Sequence, residues 1–160
     1  VMMPVVATVI AGAGAPPIHD ITTDLDNPPE FLAIKASRME AHNSLDRSQA
    51  KDLMRLQKSA YPDLQPLIVN RPFDQVFEQA AVLVKKRGWV LAGMSVASGR
   101  IEATDTTPMM GFKDDVVIRI QPAGEGTRVD MRSVSRVGRG DLGTNAARIR
   151  AFLADLGRSS

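Results

Sequence analysis

Four arginines, Arg119, Arg128, Arg132 and Arg136, fall in two neighbouring alternating segments, DVVIRIQ (115–121) and RVDMRSVSRV (128–137), which read as antiparallel strands joined by the turn PAGEGT. With Arg128 opposite Gln121, Arg119 meets Asp130 across the ladder, and Arg128, Arg132 and Arg136 extend the same row. Val116, Ile118, Ile120, Val129 and Met131 then share the other side, together with Ser133 and Ser135. Guanidinium forks bind carboxylate or phosphate bidentately, so the arginine row is suited to an anionic small molecule, a lipid headgroup or a glycan acid. Alternation adds Glu102, Thr104 and Thr106 to this polar face if the hairpins adjoin. With Asp114 and Asp115 they suggest paired carboxylates for acid–base work or a cation site. No nucleophile and base pair accompanies them, which favours an internally paired polar face.

The second set of candidate residues is His19, Asp20, Asp24 and Asp26. An imidazole among carboxylates is suited to a divalent cation or to general-base chemistry. An extended chain holds these side chains apart, and His42 is the one other histidine, so a closed metal site lacks ligands. The preferred reading makes Asp20 and Asp24 hydrogen-bond acceptors and His19 an anchor of the arm; no metal and no cofactor are expected. An enzyme, such as a hydrolase using His19 with Asp20, Glu102 or Asp115, is the alternative to a binding module. There is no glycine-rich phosphate loop, no Gly-x-Ser-x-Gly elbow and no zinc-type histidine spacing.

Charge is distributed to match. Residues 127–150 carry six Arg against two Asp, whereas residues 18–30 carry four acids and no Lys or Arg. Residues 16–30 are bracketed by two Pro-Pro pairs, which disfavour helix and make an extended arm. The simplest arrangement lays this acidic arm on the basic sheet face, with a ligand site in or beside the contact as the alternative.

The 160 residues fit one domain, residues 16–160, with 44% hydrophobic and 24% charged residues, as in ordinary globular proteins. A net charge of +2, with one Trp and one Tyr, is too weak a footprint for nucleic acid. The absence of cysteine excludes disulfides and thiolate chemistry. Residues 1–15 have no charged side chain and are almost wholly apolar or small. They are too short to span a bilayer, which needs about 20 such residues, and read as the end of a membrane or export segment, or as a flexible tail.

The elements that position these residues follow from periodicity. A short helix is expected over 45–60, with Leu45, Ala50, Leu53, Met54, Leu56 and Ala60 at helical spacing and a stop at Tyr61-Pro62, and a short strand over 67–70. A helix from Pro72 to about Arg87 buries Phe73, Val76, Phe77, Ala80, Leu83 and Val84, and Gly88 closes it. Residues 89–97 and 100–107 form a hairpin about Ser98-Gly99 that pairs Val96 with Ile101, Met94 with Ala103 and Ser95 with Glu102. The run Met109 to Phe112 is an apolar loop patch expected to pack, with a partner or membrane contact as the alternative. A final helix, capped by Asp141 or Thr144, presents Leu142, Ala146, Ile149, Leu153 and Leu156 and ends at Gly157. The result is an α+β domain: an antiparallel sheet with two helices on one face, in the β-α-β-β-β-β-α order of a helix-grip or TATA-box-binding-protein-like half, plus an extended N-terminal arm.

The strings IHDITTD (18–24), NPPEF (27–31), YPDLQPL (61–67), IEATDTT (101–107), GFKDDVVIR (111–119) and RVDMRSVSRVGRGDLGTNAARI (128–149) resemble an uncharacterised bacterial family, the domain of unknown function numbered fourteen ninety-nine. The resemblance implies a bacterial envelope protein, periplasmic or membrane-anchored, with a membrane helix or signal often ahead of the domain. It implies no reaction and carries over no catalytic residue. Together these readings predict a non-enzymatic envelope module that binds an anionic small molecule or an envelope protein partner. Its candidate ligand residues are Arg119, Arg128, Arg132, Arg136, Glu102, Thr104, His19 and Asp20.

Overall fold

The structure, a computed structural model, describes residues 15–48, 51–108, 110–138 and 140–160. The expected apolar leader therefore lies, but for its last residue, outside the described residues. Among the described residues no helix is long and apolar enough to cross a membrane.

The chain forms β1 (Asp20–Thr22), a 3₁₀ helix (Ala33–Arg38), α1 (Lys51–Ala60), β2 (Leu67–Val69), α2 (Phe73–Lys86), β3 (Val90–Ser95), β4 (Arg100–Thr106), β5 (Lys113–Ala123), β6 (Gly126–Ser135) and α3 (Thr144–Arg158). The expected β-α-β-β-β-β-α order runs from β2 to α3. The six strands make one antiparallel sheet in the order β1-β6-β5-β4-β3, and β2 also pairs with β6.

β5 and β6 pair as their alternation dictates, with Gln121 opposite Arg128, Arg119 opposite Asp130 and Ile118 opposite Met131. The apolar side of the sheet, with Ile101, Ala103, Val116, Ile118, Ile120, Val129 and Met131, packs under α2 and α3. α2 contributes Val76, Phe77, Ala80 and Val84, and α3 contributes Ala146, Ile149, Phe152, Leu153 and Leu156. Trp89 stacks on Phe152 at 5.5 Å between ring centroids.

Three local expectations are corrected. The β3–β4 register is shifted: Met94 lies opposite Ile101 and Ser95 opposite Arg100, with a bulge between Leu91 and Gly93. The connection is a longer turn over residues 96–99, closed by the Gly99 N–H on the Val96 carbonyl at 3.1 Å, so pairing begins with Ser95 and Arg100. Gly99, with φ +64°, also extends the β4–β5 ladder, its carbonyl accepting the Ile120 N–H at 2.7 Å, and a Cβ there would sit 2.0 Å from the Ile120 oxygen. In α3, Leu142 is exposed and precedes the helix, and Gly157 lies inside the last turn. Asp141 does act as the cap, accepting the N–H groups of Gly143 (2.8 Å) and Asn145 (3.0 Å). Met110 and Phe112 are exposed, not packed, because their loop projects beyond the end of the β4–β5 ladder; Met109 lies outside the described residues.

The arm is not only a cover. Its residues 20–22 form β1, which shares the outer edge of β6 with β2: Asp20 to Thr22 pair with Val134 to Arg132, and Leu67 to Val69 with Val129 to Thr127. Gln57 of α1 then seals β1, because its side-chain amide accepts the Thr22 N–H at 3.1 Å and donates to the Thr22 carbonyl at 2.6 Å, in place of a further strand. Gln57→Leu keeps the bulk but strands both backbone groups, and is expected to cost about 2 kcal/mol, read as a lower denaturant midpoint at unchanged m.

Candidate functional site

The face turned away from α2 and α3 is organised in rows. One row runs Thr104, Asp115, Val134 and Asp20 across β4, β5, β6 and β1; the next runs Glu102, Val117, Arg132 and Thr22; a third runs Arg100, Arg119 and Asp130. Residues 24–48 lie over these rows. At the centre Phe31, Ile34 and the half-buried Leu45 pack on Val117 and Val134, a small second core that seals the polar groups around it.

Around that plug the guanidinium groups act as clamps between sheet and cover. Arg132 makes a bidentate pair with Asp20 (3.0 and 2.8 Å) and donates to the carbonyls of Pro29 (3.1 Å) and Leu45 (2.7 Å). Its guanidinium also lies 5.2 Å from the Phe31 ring centroid. Arg47 reaches the same Asp20 carboxylate at 2.7 Å. Asp115 receives Arg38 at 2.5 Å, Arg136 at 2.9 and 3.0 Å, and the Thr104 hydroxyl at 2.8 Å. Arg119 and Arg128 are bridged by Asp24 of the arm and Asp130 of β6, with Arg119 also donating to the Asn27 carbonyl at 2.9 Å. Hydrogen bonding to Asp130 raises the Arg128 guanidinium above its ordinary value.

Glu102 has a different task. Its carboxylate accepts the backbone N–H groups of Leu32 (2.8 Å), Ala33 (2.9 Å) and Ile34 (3.1 Å), the opening turn of the 3₁₀ helix, and the Arg100 Nε–H at 3.2 Å. The helix approaches because Gly93 stands opposite Glu102; a Cβ at Gly93 would lie 2.5 Å from the Ala33 Cβ.

The arginine row thus meets the acidic arm, as the charge distribution suggests, through Asp20 and Asp24. The sheet's own Asp115 and Asp130 supply the other half of the pairing. Asp114 and Asp115 point to opposite faces. His19 sits at the mouth of β1, its carbonyl accepting the Ser135 N–H at 2.9 Å; among the described residues its ring makes no hydrogen bond or ion pair. Also among the described residues, no three His, Cys, Asp or Glu side chains gather to hold a metal ion.

An open cleft of about 590 Å³ lies beside the plug, between residues 28–31 and 41–47. Lys35, Arg38, Arg47 and Arg132 line it, with Glu30 and Asp46 on its wall. Lys35 and Arg38 fall in residues 31–44, to which the sequence assigns no element, and Arg47 falls in the expected helix over 45–60, of which the structure makes Lys51–Ala60 helical and leaves residues 45–48 as part of the cover over the sheet. The charge itself is the signal: Lys35 and Arg38 follow directly on the acidic arm.

The opposite face carries a second polar cluster under the start of α3. Arg148 donates to Asp114 (2.8 Å), Asp105 (2.9 Å), Ser133 (3.1 Å) and Asn145 (2.9 Å), and Asn145 donates to Ser135 at 2.9 Å. Burial pushes the Asp114 carboxyl above its ordinary 3.8, against the opposing pull of Arg148 and Ser135. A carboxyl raised on folding binds more protons folded than unfolded, so its contribution to stability falls as pH rises from just below 3.8 through the raised value. Asp114→Asn removes that titration. The stability of the variant relative to the parent is therefore expected to improve with pH across this window, as read by denaturant unfolding at a series of pH values.

The profile of a family described as "Protein of unknown function (DUF1499)" matches residues 20–156. The chain belongs to this family. The matched span opens at Asp20, the carboxylate shared by Arg132 and Arg47, and closes at Leu156 in the core. In this DUF1499 domain the covered face, with residues 24–48 and the cleft, therefore lies wholly inside the family's span. No curated protein matches the chain.

Proposed function

We propose that this domain is a non-enzymatic binding module of the bacterial cell envelope, and that the cleft over its arginine-rich sheet face takes an anionic group. The observation that carries the reading is the charge of the cleft lining, where four cations, Lys35, Arg38, Arg47 and Arg132, stand against two acids, Glu30 and Asp46. Beneath the lining Asp20 pairs with Arg47 and Arg132, and Asp115 with Arg38 and Arg136, which holds the guanidinium groups in place. Positive charge held in a low-dielectric wall and opening onto a cleft favours a ligand that brings the missing negative charge. Lys35 at the rim and the planar fork of Arg47 suit a phosphate or carboxylate. Envelope placement rests on the uncharged, apolar residues 1–15. An envelope protein presenting an acidic side chain is the macromolecular form of the same partner.

The test is a thermal melt of the full chain with inorganic phosphate and with citrate. Occupancy at about 100 times the dissociation constant adds about 2.7 kcal/mol to the folded state. The stabilisation is expected to vanish in Arg47→Gln, which leaves the Arg132 pair with Asp20 in place, and to survive in Asp63→Asn, on a remote exposed pair. No stabilisation by either anion in the parent chain overturns the small-anion reading.

A further inference from the structure

We infer that the loops at one end of the sheet, bearing Met39, Met110, Phe112, Val137 and Leu142, lie against a lipid bilayer surface. The inference deepens the envelope reading above and rests on it.

The loops belong to one end by topology. β5 begins and β4 ends there, at Lys113 opposite Thr106, and β6 leaves there, where the Arg136 N–H meets the Lys113 carbonyl at 3.0 Å. The turn after the 3₁₀ helix joins them, since the Asn43 N–H donates to the Arg136 carbonyl and its amide to Ser135 and Gly138. Five large apolar side chains on these loops are exposed, Met39 at 89% and Leu142 at 77% among them. Met39, Phe112 and Val137 flank a cleft of about 660 Å³ with Lys113 at its edge. Scattered single apolar residues on a surface need no explanation, but five on three loops at one end of the sheet do need one.

Leu142 is the most informative of them. It has φ +55°, a left-handed conformation that a leucine adopts only with strain, and its side chain stands in solvent. A strained and exposed leucine contributes nothing to the fold from inside, so a surface that meets it from outside gives it a role.

The occupant follows from where the chain enters. Residues 1–15 carry no charged side chain, and Ile18 is already fully buried. Pro16 and Pro17 alone separate the two, and they lie beside Gly140, in the same loop that carries Val137 and Leu142. Two residues span at most about 7 Å, so an apolar segment seated in a bilayer would draw this end of the domain to the interface. Lys113 and Arg136 line the same cleft with the acid Glu40, and Arg136 is already paired with Asp115, so the contact is one of apolar insertion.

The absence of cysteine gives a direct test with the full chain. Single variants Leu142→Cys, Phe112→Cys and Glu125→Cys, the last in the turn at the opposite end, are labelled with an environment-sensitive fluorophore and mixed with phosphatidylcholine vesicles. The expected result is co-sedimentation of all three, with emission shifted to the blue at 142 and 112 and unchanged at 125. Co-sedimentation with no shift at 142 and 112 overturns this inference and leaves the envelope reading standing. Failure to co-sediment overturns both. A blue shift that appears without lipid as protein concentration rises assigns the patch to a second copy of the chain and overturns the lipid assignment. Melts matching the parent confirm that each variant is folded.

Discussion

Asp20→Ala is expected to cost about 3–5 kcal/mol of folding stability, the loss typical when one partner of a buried ion pair is removed. Asp20 is 2% exposed and holds two guanidinium groups, Arg132 and Arg47, whose side chains are 5% and 14% exposed. Removing the carboxylate leaves both cations in a poorly solvated layer beneath residues 24–48, with the plug of Phe31, Ile34 and Leu45 limiting the entry of water. The loss should depend only weakly on salt, because the Asp20 carboxylate and the Arg132 guanidinium are buried and screening acts mainly on the part of Arg47 that faces the cleft. Asp63→Ala is the contrast: its pair with Arg150 lies 55% and 42% exposed, and about 0–1 kcal/mol, reduced by salt, is expected. Urea unfolding of both variants at two ionic strengths checks the claim. A large loss at Asp20 that salt abolishes would mean that the face is open to solvent. The contrast also separates this arrangement from a simple reading of charge composition, in which an acidic arm and a basic strand attract across water and the whole attraction is screened.

Where alternation was unbroken, the sequence was sufficient. The β5–β6 register, the two faces of that ladder, α2 from Phe73 and the apolar stripe of α3 all follow from periods of 2.0 and 3.6 with their turn and cap residues. The arrangement failed to be legible where tertiary contacts override local pattern. The β3–β4 turn takes in residues 96–99, with the Gly99 N–H on the Val96 carbonyl, which shifts the register against the apolar matching of Val96 with Ile101. The arm reads as extended from its prolines, but its pairing with β6 depends on the outer edge that β2 leaves free. The candidate residues of the arginine row were legible by parity, and so was their acidic complement. Arg38, Arg47 and the role of Glu102 were not, because residues 31–44 have neither helical nor strand period, and the helical spacing that begins at Leu45 is overridden over 45–48, where Leu45 packs on the sheet and Arg47 reaches Asp20.

That closure has one identifiable latch, and Glu102→Ala is expected to release it. Three backbone N–H groups of the 3₁₀ helix end on this carboxylate, and hydrogen bonds to a charged group are worth about 1.5–3 kcal/mol each, with the sum not additive. The helix is six residues long and has no side-chain cap of its own, so nothing else satisfies its first turn. A loss of about 3 kcal/mol is expected, and its character matters more than its size. α2, α3 and the apolar side of the sheet do not depend on Glu102, so the variant should open locally before it unfolds globally. Amide hydrogen exchange at Leu32, Ala33 and Ile34 should become fast while protection in β5 and β6 remains. Glu102→Gln, which keeps one acceptor oxygen, should fall between parent and Ala. Gly93→Ala should produce the same local opening from the other side, by setting a methyl group against Ala33. Because the released segment carries Lys35 and Arg38, two of the four cations lining the cleft, anion-dependent stabilisation should disappear with the protection. If it survived in a variant whose 31–38 amides exchange freely, the anion would be bound elsewhere, and the cleft would be a by-product of closing the sheet.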